Sequence, residues 1–136
     1  MKNHENRRIK RKILICDDNA TWLDIFKFIF KRPELEVLTL PDSSELVATA
    51  KRHHPSLILL DIMMPGKDGV AGLRELSADP ATASIPVVVV SSVMNPETVA
   101  QVKRLGAREF VEKPFNALRL REIVRRHIAN PNAAKQ

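Results

Sequence analysis

The chain has 136 residues, which suits one domain with its own core and leaves little room for a second. Hydrophobic residues make up 44% and charged residues 28%, which excludes a wholly disordered or collagen-like chain. No apolar run is long enough to span a bilayer, and the single cysteine, Cys16, excludes an internal disulfide. We therefore expect a cytoplasmic globular domain that does not bind membranes.

The net charge of +6 is concentrated at the two ends of the chain. Residues 1–12 contribute +5 and residues 119–136 contribute +4, whereas residues 13–118 contribute −3. Basic ends can attract nucleic acid. Solvated termini that aid solubility are the preferred interpretation, so nucleic-acid binding by this domain alone is not expected.

Short apolar runs alternate with helical periodicity along the body of the chain. The apolar runs predict five strands, at residues 13–16, 34–40, 57–60, 87–90 and 108–113. Helical spacing follows each strand, at residues 22–30, 46–50, 73–76, 96–105 and 115–128. Asp42 or Ser43 is expected to cap the second helix, with Glu45 in its first turn. This alternation predicts βαβ units, and therefore an α/β fold with a parallel sheet covered by helices on both faces.

Charged and hydroxyl side chains follow the predicted strands at their carboxyl ends, where ligands bind in such sheets. They are Asp17 and Asp18 after the first strand, Asp61 after the third, Ser91 and Ser92 after the fourth, and Lys113 at the end of the fifth. Three neighbouring carboxylates repel one another unless a cation or proton lies among them. Such hard oxygen ligands suit Mg²⁺, which can present a phosphoryl group to a carboxylate nucleophile. A lysine and a hydroxyl would hold the remaining phosphoryl oxygens.

A purely structural role is the alternative for each of these residues. Asp18 could cap the following helix, and the two serines could be turn residues. Lys113 could be solvated, and Cys16 is expected to be a small core residue and not a nucleophile. The histidines form no motif and are expected at the surface: His4, His53, His54 and His127.

Four motifs together resemble the receiver domain of bacterial two-component response regulators. They are ILICDDN at 13–19, LILLDIMMPGKDG at 57–69, IPVVVVSS at 85–92 and GAREFVEKPF at 106–115. The resemblance covers residues 11–130 as a receiver domain, between a basic N-terminal extension at 1–10 and a polar tail at 131–136. It implies a flavodoxin-like, doubly wound sheet of five parallel strands in the order 2-1-3-4-5.

The resemblance also implies a role for each residue at the strand ends. Asp61 would be the phosphoacceptor, and Asp17, Asp18, Asp61 and the backbone carbonyl of Met63 would bind Mg²⁺, for which Mn²⁺ could substitute. Ser91 and Lys113 would bind the phosphoryl group. Met63 and Val93 would flank the path of the water that removes it. The peptide bond before Pro114 would be cis.

Phe110 would act with Ser91 as the switch between two packings of the domain. Many relatives carry a tyrosine at this position, and a phenylalanine would have to switch by packing alone. Arg108 and Glu109 stand where several transcription-factor relatives carry an acidic pair. This difference argues against the salt-bridged dimer that those relatives form.

The implied function is a phosphorylation-dependent switch in a phosphorelay, a signalling domain and not an enzyme in the usual sense. The implied partners are a sensor histidine kinase or a histidine phosphotransfer domain. An effector domain or downstream protein would contact helix 96–105, strand 108–113 and helix 115–128. Two alternatives stay open: a receiver-like binding module that no longer depends on phosphorylation, and a flavin-binding electron carrier of the same fold. The acidic pair Asp17–Asp18 would repel the bare phosphate of a flavin.

Overall fold

The computed structural model describes residues 10–64, 69–92 and 95–129, and strands alternate with helices throughout these ranges. The strands are β1 (Arg11–Cys16), β2 (Leu35–Leu40), β3 (Leu57–Leu60), β4 (Val87–Ser91) and β5 (Glu109–Glu112). The helices are α1 (Ala20–Ile29), α2 (Leu46–His53), α3 (Gly69–Ala78), α4 (Pro96–Arg104) and α5 (Ala117–Ala129). None of the helices in these ranges has the length and apolar character needed to cross a membrane.

The strands form one parallel sheet in the order β2-β1-β3-β4-β5. This confirms the predicted doubly wound α/β fold. The chain passes from β1 to β2 on one side of the sheet and then crosses back past β1 to β3, which places β1 and β3 side by side. Cys16 pairs with Leu60 in this register, so the residues that follow β1 and β3 emerge next to each other. In sheets of this topology, ligands bind in the crevice between two such neighbouring strand ends.

The sheet is covered on both faces because successive strand residues point to opposite sides. In β4 the side chains of Val87 and Val89 join one core cluster, and those of Val88 and Val90 join the other. The first cluster also receives residues of α2, α3 and α4, namely Leu46, Leu73, Leu76 and Val102. The second receives residues of α1 and α5, namely Phe26, Ile29, Leu120, Ile123 and Val124. The four consecutive valines are therefore explained by burial on two faces.

The start of α2 differs from the prediction. The helix begins at Leu46, and its cap residue Glu45 makes no side-chain capping hydrogen bond. Asp42 instead accepts hydrogen bonds from the N–H and the hydroxyl of Ser44, at 2.8 and 2.6 Å. The prediction that Asp42 or Ser43 caps this helix was wrong because the Asp42 side chain satisfies a local turn before the helix starts.

The prediction that the histidines lie at the surface was wrong for His127, which is only 3% exposed. This residue lies three and four positions after Val124 and Ile123 on α5, and so shares their buried face. Its ring reaches Glu109 on β5. His53 is half-buried and His54 is exposed, whereas His4 lies outside the described residues.

Candidate functional site

Three aspartates converge at the carboxyl ends of β1 and β3. Asp17, Asp18 and Asp61 each offer a carboxylate oxygen, and these oxygens lie within 4.8 Å of one another. Asp17 and Asp61 are buried, whereas Asp18 is exposed. The backbone N–H of Asp61 donates to the carbonyl of Cys16 at 2.9 Å, which joins the two loops directly. The structure therefore brings together the three carboxylates that the sequence predicted to be close.

Lys113 lies between the two buried carboxylates. Its Nζ donates to Oδ2 of Asp17 at 2.6 Å and to Oδ2 of Asp61 at 3.0 Å. The other oxygen of each carboxylate accepts from backbone: Asp17 Oδ1 from the N–H of Asn19 at 2.9 Å, and Asp61 Oδ1 from the N–H of Met63 at 2.8 Å. Both carboxylates are thus held in the same way, by one loop N–H and one ammonium. The ammonium partly offsets their mutual repulsion.

Burial raises the pKa of two groups at the site, Asp17 and Cys16. Desolvation raises the pKa of Asp17 above its ordinary value, although hydrogen bonds from Lys113 and Asn19 oppose the change. Burial, reinforced by the nearby carboxylates, also raises the pKa of the Cys16 thiol to about 12. The thiol therefore stays protonated near neutral pH and contributes packing and not nucleophilic chemistry.

The remaining residues predicted for the site and its switch are Ser91, Phe110 and Lys113, which lie on or directly after β4 and β5. Ser91 is the last residue of β4 and is fully buried, and its carbonyl accepts the backbone N–H of Lys113 at 2.9 Å. Phe110 pairs with Val89 across the sheet and packs, half-buried, against the core cluster on the α4 side. The Lys113–Pro114 peptide bond is cis. Ser91 and Lys113 are thus linked through the backbone as well as by their position at one edge.

The two residues expected to control dephosphorylation are only partly described. Met63 is 53% exposed, and its backbone is held at the site by the N–H that it donates to Asp61. Val93 lies outside the described residues.

An aromatic cluster next to Lys113 was missed by the sequence analysis. Trp22 lies with its ring centroid 5.3 Å from that of Phe115 and 6.0 Å from that of Phe26. The Nζ of Lys113 is 4.8 Å from the centroid of the Trp22 ring. The helical spacing at 22–30 predicted only that Trp22 belongs to a helix. Its position in the first turn of α1, four residues after Asp18, is the signal that would have placed it near the site.

The donor set fits a small divalent cation. Carboxylate oxygens are the ligands that Mg²⁺ prefers, and this ion keeps several waters and so needs few protein ligands. Asp18 is the exposed member of the cluster, so solvent reaches the carboxylates from its side. Receiver domains generally bind Mg²⁺ at an acidic pocket of this kind.

Comparison with known proteins finds similarity to response regulators along most of the chain. The sequence model of the response regulator receiver domain family matches residues 13–125. Protein PilH of Pseudomonas aeruginosa is 32% identical over 105 residues, which cover 77% of this chain and 87% of PilH. Response regulator PleD of Caulobacter vibrioides is 35% identical over 114 residues, which cover 84% of this chain but only 25% of PleD. The chain therefore spans most of one relative and a quarter of another.

Solved structures show the same fold. A CheY-like receiver domain protein from Methanospirillum hungatei superposes with a TM-score of 0.83 at 24% identity, covering 90% of this chain and 97% of that one. NtrX from Brucella abortus gives a TM-score of 0.80 at 31% identity, covering 93% of this chain and 29% of NtrX. Receiver domains of response regulators are signalling domains that act in phosphorylation-dependent two-component systems. The chain belongs to the response regulator receiver domain family.

Proposed function

We propose that Asp61 accepts a phosphoryl group from a phosphohistidine, carried by a sensor histidine kinase or a histidine phosphotransfer domain. Asp17, Asp18, Asp61 and the backbone carbonyl of Met63 would hold Mg²⁺, or Mn²⁺ in its place. The observation that carries the proposal is the position of Lys113, whose ammonium bridges the carboxylates of Asp17 and Asp61. A lysine in this position can transfer a hydrogen bond from Asp61 to a phosphoryl oxygen without leaving the site.

The geometry around Asp61 prepares one of its oxygens for attack. Oδ1 is fixed by the N–H of Met63, so the carboxylate has one orientation. In the proposed step a carboxylate oxygen forms a bond to phosphorus while the bond from phosphorus to the imidazole nitrogen breaks. The electron pair of that bond stays on the imidazole. A divalent cation at the cluster would offset the charge of the carboxylates and of the phosphoryl oxygens.

Lys113 and Ser91 would then bind the new phosphoryl group. The group adds about two negative charges and three acceptor oxygens. Lys113 would exchange its contact with Asp61 for one with a phosphoryl oxygen, and the Ser91 hydroxyl would take another. Phe110, half-buried beside β4, would repack as Ser91 moves.

The position of Phe110 indicates which surface of the domain would contact a partner. Phe110 is on β5, which is flanked in sequence by α4 and α5. A change of packing at Phe110 would therefore alter the surface formed by α4, β5 and α5. An effector domain or downstream protein would contact this surface. We take residues 11–130 as the receiver domain, with the basic extension 1–10 and the polar tail 131–136 outside it.

The proposal is tested by incubating the protein with Mg²⁺ and acetyl phosphate and measuring its intact mass. The wild-type protein should gain one phosphoryl group, and Asp61→Asn should gain none. Asp24→Asn, an exposed aspartate on α1, is the matched control and should behave as wild type. A wild-type protein that gains no mass would instead favour a receiver-like binding module that no longer depends on phosphorylation.

A further inference from the structure

Trp22 contacts Lys113, which the proposed chemistry requires to change its hydrogen-bond partner. The ammonium of Lys113 lies 4.8 Å from the centroid of the indole ring, within the range of a cation–π interaction. The Lys113 side chain is only 7% exposed, so water does little to solvate its charge. Tryptophan gives the strongest interaction of this kind among the aromatic side chains.

The Lys113 ammonium interacts with the indole ring in addition to the two carboxylates. An ammonium has three N–H groups, and two of them account for the hydrogen bonds to Asp17 and Asp61. The ring face attracts the cation but does not neutralise it as a third carboxylate would. The ring therefore attracts the ammonium without adding another negative charge to the site.

Trp22 is itself held in place by two elements. Its backbone N–H donates to the side chain of Asn19, which caps α1, at 2.9 Å. Its ring packs against Phe115, two residues after Lys113, and Phe115 stacks on Phe26 at 5.7 Å. The aromatic cluster thus joins α1 to the segment that carries Lys113, so the ring has a fixed position relative to the ammonium.

We infer that Trp22 is a positioning residue for Lys113. Its ring holds the ammonium at the aspartate cluster before phosphorylation and keeps it there when its hydrogen bond moves from Asp61 to the phosphoryl group. This inference rests on the proposed function, because it assumes that Asp61 is the phosphoacceptor. It adds a residue on α1 to the machinery of the site.

The first test measures the rate of phosphorylation by acetyl phosphate with Mg²⁺ saturating. Trp22→Leu should slow the reaction by about threefold to tenfold, and by no more than Lys113→Met does. Trp22→Phe keeps an aromatic face and should recover part of the loss. Phe28→Leu, on the same helix but 80% exposed, is the matched control and should leave the rate unchanged.

A double variant separates positioning from a general structural effect. If Trp22 acts through Lys113, then Trp22→Leu should cause no further loss in a protein that already carries Lys113→Met. A structural defect would slow both backgrounds by the same factor. Equal slowing in both backgrounds would overturn the inference.

A fluorescence measurement needs no change at Trp22 and no metal. Trp22 is the only tryptophan in the sequence, so all of the tryptophan emission comes from the ring that faces Lys113. Lys113→Met should change the emission intensity or maximum of the metal-free protein, whereas Lys27→Met, an exposed lysine on α1, should not. Unchanged emission in Lys113→Met would show that the ammonium does not lie against the ring.

The failure of this inference is distinguishable from failure of the proposed function. If Asp61→Asn is phosphorylated as well as wild type, the assignment of the phosphoacceptor is wrong. If Asp61→Asn is inactive but Trp22→Leu reacts at the wild-type rate, only the role of Trp22 is wrong.

Discussion

The Nε2 atom of His127 lies 3.1 Å from Oε2 of Glu109, which joins the last helix to the edge strand of the sheet. Arg126 donates to the same carboxylate oxygen at 2.9 Å. Burial would raise the pKa of Glu109, but the hydrogen bonds from His127 and Arg126 outweigh it and lower the pKa below its usual 4.5. Glu109 is thus a charged anchor for α5, on the same strand as Phe110.

Because of the interactions of Glu109 with His127 and Arg126, we expect the free energy of unfolding to depend on pH in the acid range. A carboxyl group with a lowered pKa stabilises the folded state above its unfolded pKa, and this contribution is lost as the pH falls through the folded value. Wild type should therefore be more stable than Glu109→Gln at pH 7, by about 1 kcal/mol or less. The difference should shrink below pH 4.5. Urea unfolding at several pH values measures it.

Glu122 provides the matched control for Glu109. It pairs with Arg125 on the exposed surface of α5, where an ion pair contributes little. Glu122→Gln should therefore change the free energy of unfolding much less at either pH. An equal effect of the two substitutions would contradict the anchoring role of Glu109.

Gly69 should tolerate no side chain, because α3 begins against the backbone that follows Asp61. A Cβ at this position would lie 2.5 Å from the Cα of Ile62 and closer still to the Asp61 carbonyl oxygen. Backbone cannot move aside as a flexible side chain can. We expect Gly69→Ala to destabilise the fold by more than about 2 kcal/mol in urea unfolding, in spite of the higher helix propensity of alanine.

Gly72 on the same helix is the comparison for this effect. A Cβ there would meet the end of the Leu46 side chain at 2.9 Å, which can adjust. Gly72→Ala should therefore cost distinctly less than Gly69→Ala. If the two substitutions are equally tolerated, α3 does not pack against the backbone of Asp61 and Ile62 as closely as the structure indicates.

Mg²⁺ should stabilise the fold through the aspartate cluster. At a concentration about 100 times its Kd, a ligand that binds only the folded state adds about 2.7 kcal/mol of stability. Asp18→Asn should lose most of this gain, because it removes a ligand charge without disturbing the buried pair. Thermal unfolding with and without Mg²⁺ measures the effect. Asp24→Asn should keep the full gain, and an equal gain in Asp18→Asn would show that the ion binds elsewhere.

The phosphorylated state should be long-lived, because neither Met63 nor Val93 can hydrogen-bond a water in line with phosphorus. Positioning contributes strongly to rates in phosphoryl transfer. Met63→Asn combined with Val93→Glu should therefore speed hydrolysis by about an order of magnitude, equivalent to about 1.4 kcal/mol of barrier. The half-life of the phosphorylated protein with Mg²⁺ saturating measures this. An unchanged half-life would mean that the water path is controlled elsewhere.

The sheet and the aspartate cluster could be predicted from the sequence because both depend on short-range patterns. Buried parallel strands are continuous apolar runs, such as the four valines at 87–90, and the carboxyl ends of parallel strands lie at one edge of the sheet. The pattern therefore placed Asp17 and Asp61 at the same edge, and the strand order implied by the family resemblance placed them next to each other. The sequence could not show that each is held by one loop N–H and by Lys113, because such contacts depend on the register and on loop conformation.

Two of the three errors arise from contacts between residues that are distant in the chain, and the third arises from a local turn. His127 was expected at the surface because it is polar, yet its ring is buried against Glu109, 18 residues away in the chain. Asp42 was expected to cap a helix, yet it bonds Ser44 within a turn. The sequence pattern indicates only that Trp22 is an apolar residue of a helix, and its contact with Lys113 is seen only in the folded structure. Tertiary partners decide the positions of His127 and Trp22, and a local pattern does not contain them. Two local interactions compete at Asp42, and the turn is the one that forms.

The central claim is that Asp61 carries the phosphoryl group, and chemical mapping tests it most directly. An aspartyl phosphate is reduced by borohydride to homoserine, which changes the mass of the peptide that contains it. After incubation with acetyl phosphate and Mg²⁺, peptide sequencing by mass spectrometry should find homoserine at position 61 and aspartate at positions 17 and 18. Homoserine at position 17 or 18, with Asp61 unmodified, would contradict the account.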